Sequence, residues 1–244
     1  MPSITRKQAN KTTNNNHSHS PSANNPETPD HTTETIIRIS TWNQNTRYSP
    51  TSAIQLATQN EIDILTIQEP NQKITDPHTH EHMAFNQQVT KANYTAYYSL
   101  KTITLLRNST IQPYHRATHK PISQGRIHPL ILTTSPSKNI AIINIYAYQR
   151  SHKKYSELSL QLLKDLDNLK KSLHETYENL SIIISGDLNI NHNSNKTVEN
   201  NILKHVLNKP YNLHSAYTIS HPSAPLPATL VQSELSHIDY ILLP

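Results

Sequence analysis

Four short polar segments stand out in a chain with few charges (16% Asp, Glu, Lys and Arg): Trp42-Asn43-Gln44-Asn45, Gln68-Glu69-Pro70, Gly186-Asp187-Leu188-Asn189 and His237-Ile238-Asp239-Tyr240. Each lies at the end of an apolar run with strand character, the place where a side chain leaves its sheet. In extended backbone, positions i and i+2 point the same way. Asn43 and Asn45 can therefore converge, as can Asp187 and Asn189. Carboxylates and carboxamides gathered at strand ends are hard oxygen donors, the kind a magnesium ion prefers. The chain has only two glycines in 244 residues, which makes a Gly-Asp pair a rare coincidence. Each residue also admits an ordinary explanation. Glu69 before Pro70 can be a solvated charge, and Asn43 and Asn45 can bond their own turns. Asp187 and Asn189 can form an Asx turn, and Tyr146 can simply pack in a strand.

Composition narrows the classes. Residues 1–35 are dominated by Asn, Ser, Thr, His and Pro, with Ile4 the only large aliphatic residue, so a disordered polar tail is expected there. The core-forming residues fall in 36–244, which is expected to fold as one domain. No apolar run approaches the ~20 residues of a membrane span. The N-terminus lacks the apolar stretch of a secretion signal, so an intracellular chain with no membrane partner is expected. Without cysteine there is neither a disulfide-linked partner nor a thiolate metal site. Two glycines leave no room for a Gly-rich phosphate loop or a dinucleotide fingerprint. A net charge of +5 suits a polyanion such as nucleic acid, and equally suits ordinary solubility. Gly, Val, Asp, Glu, Cys, Trp and Met, whose codons all need G, are scarce, which reads as a G-poor coding strand.

The elements that must carry the polar segments follow from periodicity. Ile37, Ile39 and Thr41 share one face of a strand ending at Trp42-Asn43. Ser49-Pro50-Thr51 opens a helix to Asn60, with Ile54 and Leu56 or Ala57 inward. Ile62, Ile64 and Ile67 mark a strand that stops at Glu69-Pro70, completing a crossover unit. Residues 71–93 read as loop. Strands are expected over Tyr94–Ser99, Thr102–Arg107, Ile127–Thr133 and Ile140–Tyr146. A long amphipathic helix follows, from about His152 to Leu180, with Leu158, Leu162, Leu166, Leu169 and Leu173 at steps of three or four. Ser181–Ser185 is a buried strand delivering Gly186-Asp187. A short helix over Lys196–Leu207 and a last strand over His237–Leu243 complete a mixed-sheet α/β sandwich.

Together with Ile143-Asn144-Ile145-Tyr146, the four segments resemble the endonuclease/exonuclease/phosphatase superfamily over about Thr35 to Leu243. Within it they look most like the apurinic-type endonuclease domains of non-long-terminal-repeat retrotransposons. The resemblance implies a four-layer α/β sandwich of two mixed β-sheets flanked by helices. It also implies hydrolysis of a phosphodiester with Mg2+ (Mn2+ possible), DNA as the partner, and a nuclear location for a retroelement. Glu69 would be the main metal ligand with Asn43 beside it. Asp187 would orient or deprotonate the attacking water, Asn189 would hold a phosphate oxygen, and Tyr146 matches a tyrosine that contacts the phosphate. Asn45, Arg126 and His192 are the further substrate-binding candidates.

The sequence departs from that pattern in places. In the family, the aspartate matched by Asp239 orients a histidine of a Ser-Asp-His segment lying one strand and loop further on. That segment is absent here. The expectation is a domain whose C-terminal strand is missing and whose catalysis is weak or absent, unless His237 or His192 substitutes. Thr46 stands in place of a usual glycine, and Ala147-Tyr148-Gln149 in place of a small residue, Pro and Asn. Two alternatives remain: a phosphoesterase of the same fold acting on a substrate other than DNA, and a non-catalytic nucleic-acid-binding remnant.

Overall fold

Alternation along the long strands decides how the layers stack. In the computed structural model, the described residues are 36–44, 49–111, 114–135 and 138–189, with the strands 214–215, 230–231, 235–236 and 239–243. The first sheet holds β1 (Ile39–Asn43), β2 (Ile64–Gln68), β3 (Tyr94–Tyr98) and β4 (Thr102–Arg107) in the order β1-β2-β4-β3. β1 and β2 run parallel, joined through α1 (Pro50–Gln59); β4 is antiparallel to both β2 and β3. The second sheet holds β5 (His115–Thr118), β6 (Ile127–Ser135), β7 (Lys138–Tyr146), β8 (Leu180–Asp187), β9 (His214–Ser215) and β12 (Asp239–Leu243). Its order is β5-β6-β7-β8-β12-β9, with β7 and β8 parallel across α5 (Tyr155–Thr176) and the other pairs antiparallel. β10 (Leu230–Val231) and β11 (Leu235–Ser236) form a separate two-stranded ribbon.

Three cores follow from this stacking. Ile54, Ala57, Leu65, Ile67, Phe85 and Ile103 pack together where α1 and α3 (His80–Lys91) cover the first sheet. Ile131, Ile143, Ile145, Leu162, Leu166 and Leu173 pack together where α5 covers the second. Ile64, Leu106, Leu130, Leu132 and Ile142 join the two sheets. The result is a four-layer α/β sandwich: helix, sheet, sheet, helix.

The inter-sheet layer changes character along its length. Proceeding from Ile64 along β2, the same face carries Thr66 and Gln68; proceeding from Ile142 along β7, it carries Asn144 and Tyr146. Thr66 Oγ1 and Ser185 Oγ lie 2.7 Å apart, and Gln68 Nε2 donates to Asn144 Oδ1 at 2.8 Å. Asn144 Nδ2 donates in turn to the Ile103 carbonyl at 2.9 Å. All four side chains are fully buried. Ile and Leu thus give way to hydrogen-bonded polar groups toward the strand ends where the candidate site lies, and burial without such partners would be costly.

Most expected elements are present within a few residues. One segment is corrected: residues 71–93 are not a loop but hold α2 (Gln72–Thr75) and α3. Thr79 caps α3, its hydroxyl accepting from the His82 amide, and only Phe85 and Val89 among its side chains are buried. A helix that buries two residues one turn apart leaves a faint periodic signal. α4 (Asn108–Ile111), β5, β9, β10 and β11 were also not anticipated. The polar tail and the helix expected at Lys196–Leu207 lie outside the described residues.

His128, on β6 opposite Asn144 in register, is 4% exposed, and its Nδ1 has no partner among the described residues. Burial pushes its imidazole from 6.5 down to about 4. Between those values the unfolded chain binds a proton that the folded chain refuses, so stability is full above 6.5 and declines as the pH falls toward 4. The loss is expected to reach about 3 kcal/mol. Urea denaturation at pH 7.5 and pH 4.5 checks this: His128→Leu should flatten the His128 share of the acid decline, and an unchanged pH dependence would refute the assignment.

Candidate active site

The parallel pairs β1–β2 and β7–β8 end at the same edge of the sandwich, with Asn43 opposite Gln68 and Tyr146 opposite Asp187 as their last register pairs. Five of the residues singled out by sequence are brought together there. Asn43 Nδ2 donates across the sheets to Asp187 Oδ2 at 2.6 Å. Asp187, 1% exposed, accepts the Asn189 backbone N–H on Oδ1 at 2.7 Å. The Asx turn therefore exists, and the same carboxylate also bridges the two sheets. The Tyr146 hydroxyl donates to Glu69 Oε1, and Gln149 Nε2 donates to that oxygen at 2.7 Å. Asn189 Nδ2 donates to the Ala147 carbonyl at 3.1 Å.

Two backbone positions here are unusual. Glu69 and Asn189 both take φ of +50°. Asn tolerates that region, but for Glu it costs about 1 kcal/mol or more. The turn at Glu69 directs the chain out of β2 while its carboxylate reaches Tyr146. Burial is the first cause that raises the Tyr146 phenol above its usual pKa. The Glu69 hydrogen bond and the negative charges of Glu69 and Asp187 add to it, and Arg126 opposes them. Tyr146 therefore stays protonated and remains a donor throughout the neutral range.

The other site residues are placed less directly. Arg126 does not reach into open solvent: its Nη1 donates to the carbonyls of Tyr146 and Ala147, at 3.2 Å each. Its guanidinium lies 4.8 Å from the Tyr146 ring centre and 4.0 Å from that of Tyr148. Asp239 opens β12 as the register partner of Asp187. Asn45, His192 and His237 lie outside the described residues. Gln149 was missed as a site residue, although an amide three residues after Tyr146, where the resembled family carries Asn, was the available signal. Asn144 and Gln68 stand in the sequence only as members of their motifs; a lone amide on the inner face of an Ile-rich strand is the signal that marks the layer beneath the site.

The donor set suits a hard cation. Both donors to Glu69 converge on Oε1, and among the described residues Oε2 receives none. No group of three or more His, Cys, Asp and Glu side chains placed to hold a metal occurs among the described residues. The site instead offers carboxylate and carboxamide oxygens in small number, as Mg2+ requires when it keeps most of its waters and binds substrate phosphate. No helix among the described residues is long and apolar enough to cross a membrane.

No protein-family model matches the chain, and no curated protein does. Solved structures do. The AP endonuclease LMAP of Leishmania major superposes with a TM-score of 0.62 at 16% identity, covering 85% of this chain and 78% of that one. The endonuclease domain of TRAS1, a telomere-specific non-LTR retrotransposon, gives 0.59 at 12% identity, over 85% and 84%. An endonuclease/exonuclease/phosphatase family protein of Leptotrichia buccalis gives 0.55 at 15% identity, over 85% and 87%. The chain has the endonuclease/exonuclease/phosphatase fold. As an endonuclease/exonuclease/phosphatase-fold protein, it places its carboxylates at the carboxyl ends of β2 and β8, and the backbone beneath them must be tight.

Gly186 supplies that tightness. It lies beside Ile145 in the parallel β7–β8 ladder with φ of +144°, and a Cβ there would collide with the Ile145 carbonyl oxygen. Gly186→Ala is expected to lower stability by about 3 kcal/mol, the sum of strained backbone and overpacking. Thermal denaturation measures it; a variant as stable as the parent would show that β7 and β8 part easily at this point.

Proposed function

We propose that this chain is a divalent-metal-dependent phosphodiesterase that nicks DNA, in the manner of a retrotransposon endonuclease. The observation that carries the proposal is the meeting of Glu69 and Asp187, from opposite sheets, around the Tyr146 phenol, with Asn43 bonded to Asp187 at 2.6 Å. Nucleic-acid backbone repels anionic nucleophiles, so hydrolysis needs positive charge at the phosphate and a positioned proton acceptor. Glu69, through Oε2, and the Asn43 carboxamide would hold Mg2+ or Mn2+. When bound, the ion neutralises charge that develops on the phosphoryl and leaving oxygens.

The chain's own groups do the rest. Asp187, buried and oriented by two N–H donors, takes up or directs the proton of the attacking water. The protonated Tyr146 phenol donates to a phosphate oxygen on leaving Glu69, and Gln149 retains its bond to that carboxylate. Asn189, whose amide rests on the Ala147 carbonyl, supplies a second donor from the same edge. Asp239, the register partner of Asp187, would join these groups. The DNA assignment is supported by the net charge of +5 and by the likeness to an AP endonuclease and to a retrotransposon endonuclease domain.

Conversion of supercoiled plasmid to open circles with Mg2+ tests the proposal. EDTA and Glu69→Gln should each abolish the nicked product. Nicking that persists in Glu69→Gln would overturn the proposal, and so would a protein inert on DNA that hydrolyses a small phosphodiester at a Glu69-dependent rate.

A further inference from the structure

A cleft of about 440 Å3 adjoins the Tyr146 side of the site, and its outer residues Ser151, His152 and Lys153 have no part in the proposed hydrolysis. Its floor consists of the buried Tyr146 and Tyr148 with the half-buried Arg126. Its rim consists of Gln149, His152 and Lys153, joined by Ser151, all exposed. Because Gln149 Nε2 also bonds Glu69, the cleft is continuous with the reacting groups.

The chemistry of this cleft favours an anion over a flat ring. The Arg126 guanidinium already lies over both tyrosines, and His152 meets Tyr148 edge-on at 5.9 Å, so neither ring offers a bare face for base stacking. His152 Nδ1 accepts the Lys154 amide N–H at 3.2 Å, which leaves Nε2 as the donor nitrogen of the neutral ring. Among the described residues Lys153 has no ion-pair or hydrogen-bond partner, and it is solvent-exposed. The segment Ser151-His152-Lys153-Lys154 therefore presents cationic and hydroxyl donors with no carboxylate among them.

We propose that this cleft binds the phosphate next to the scissile one, gripping the DNA strand by its backbone and leaving the adjacent base unread. The inference rests on the DNA-nicking proposal and adds to it a direction for the strand, from Glu69 past Gln149 toward Lys153. It also requires indifference to base identity on that side, since phosphate contacts position the strand without reading sequence.

Fluorescence anisotropy with two duplexes, one of mixed sequence and one of A·T pairs only, tests this in EDTA, where binding is separated from hydrolysis. The proteins compared are the unaltered chain, Lys153→Gln, the Lys153→Gln/His152→Gln double variant, and Lys138→Gln. Lys138 is exposed at the first residue of β7, the end of the strand away from the site. Lys153→Gln should weaken binding of both duplexes equally and lower the slope of log K against log salt by about one. The double variant should weaken both further, and Lys138→Gln should match the unaltered chain. If the unaltered chain binds DNA and Lys153→Gln keeps its affinity and salt slope, the cleft assignment is overturned while the nicking proposal stands. A loss confined to one duplex overturns the backbone-only grip. An unaltered chain that binds neither duplex overturns both proposals together.

Discussion

Two side-chain amides, Gln68 and Asn144, meet at 2.8 Å in complete burial between the sheets, and the candidate site depends on their meeting. An interface of Ile and Leu alone is non-directional and tolerates sliding. A buried amide pair does not, because displacement leaves donors and acceptors unsatisfied, each at about 1–3 kcal/mol. Gln68 also accepts from Thr41 at 3.2 Å, and Asn144 also donates to Thr104 at 3.2 Å, so four strands share one arrangement. Glu69 is the next residue after Gln68, and Tyr146 lies two beyond Asn144 on the same strand face. Fixing the amides therefore fixes which carboxylate the phenol can touch.

The site above this layer is held in tension. Two carboxylates flank a buried phenol, and Glu69 occupies a backbone region that suits it poorly. Arg126 is a cation close to the phenol, but its guanidinium is committed to the tyrosine rings and to two carbonyls. It braces the segment after β7, so the backbone behind Tyr146 is held from one side while the carboxylates approach the phenol from the other.

Much of this was legible in the sequence because alternation is a strong signal in long strands. β4, β6, β7 and β8 announced themselves through Ile- and Leu-rich runs, and the polar segments at the ends of β1, β2 and β8 were visible as interruptions. The convergence of Asn43 with Asp187 was not derivable from spacing, since 144 residues separate them and only the packing of one sheet on the other joins them. α3 was invisible because its helical stripe is reduced to Phe85 and Val89, with histidines, glutamines and a methionine filling the rest. The second role of Arg126 was hidden for another reason. A guanidinium after a glycine suggests an anion, whereas its partners are rings and carbonyls supplied twenty residues later.

The two glycines stand where a side chain does not fit. Seven described residues other than glycine, Glu61, Ser123 and Gln124 among them, adopt positive φ, so left-handed backbone alone does not call for glycine in this chain. At Gly186 and Gly125 the obstacle is different. A side-chain carbon would strike the Ile145 carbonyl oxygen at the first, and would lie 2.8 Å from the Leu100 amide nitrogen at the second. Each glycine therefore marks a point where two backbone segments are pressed into direct contact, one of them directly before Asp187, so a methyl group there would push the carboxylate off its strand position.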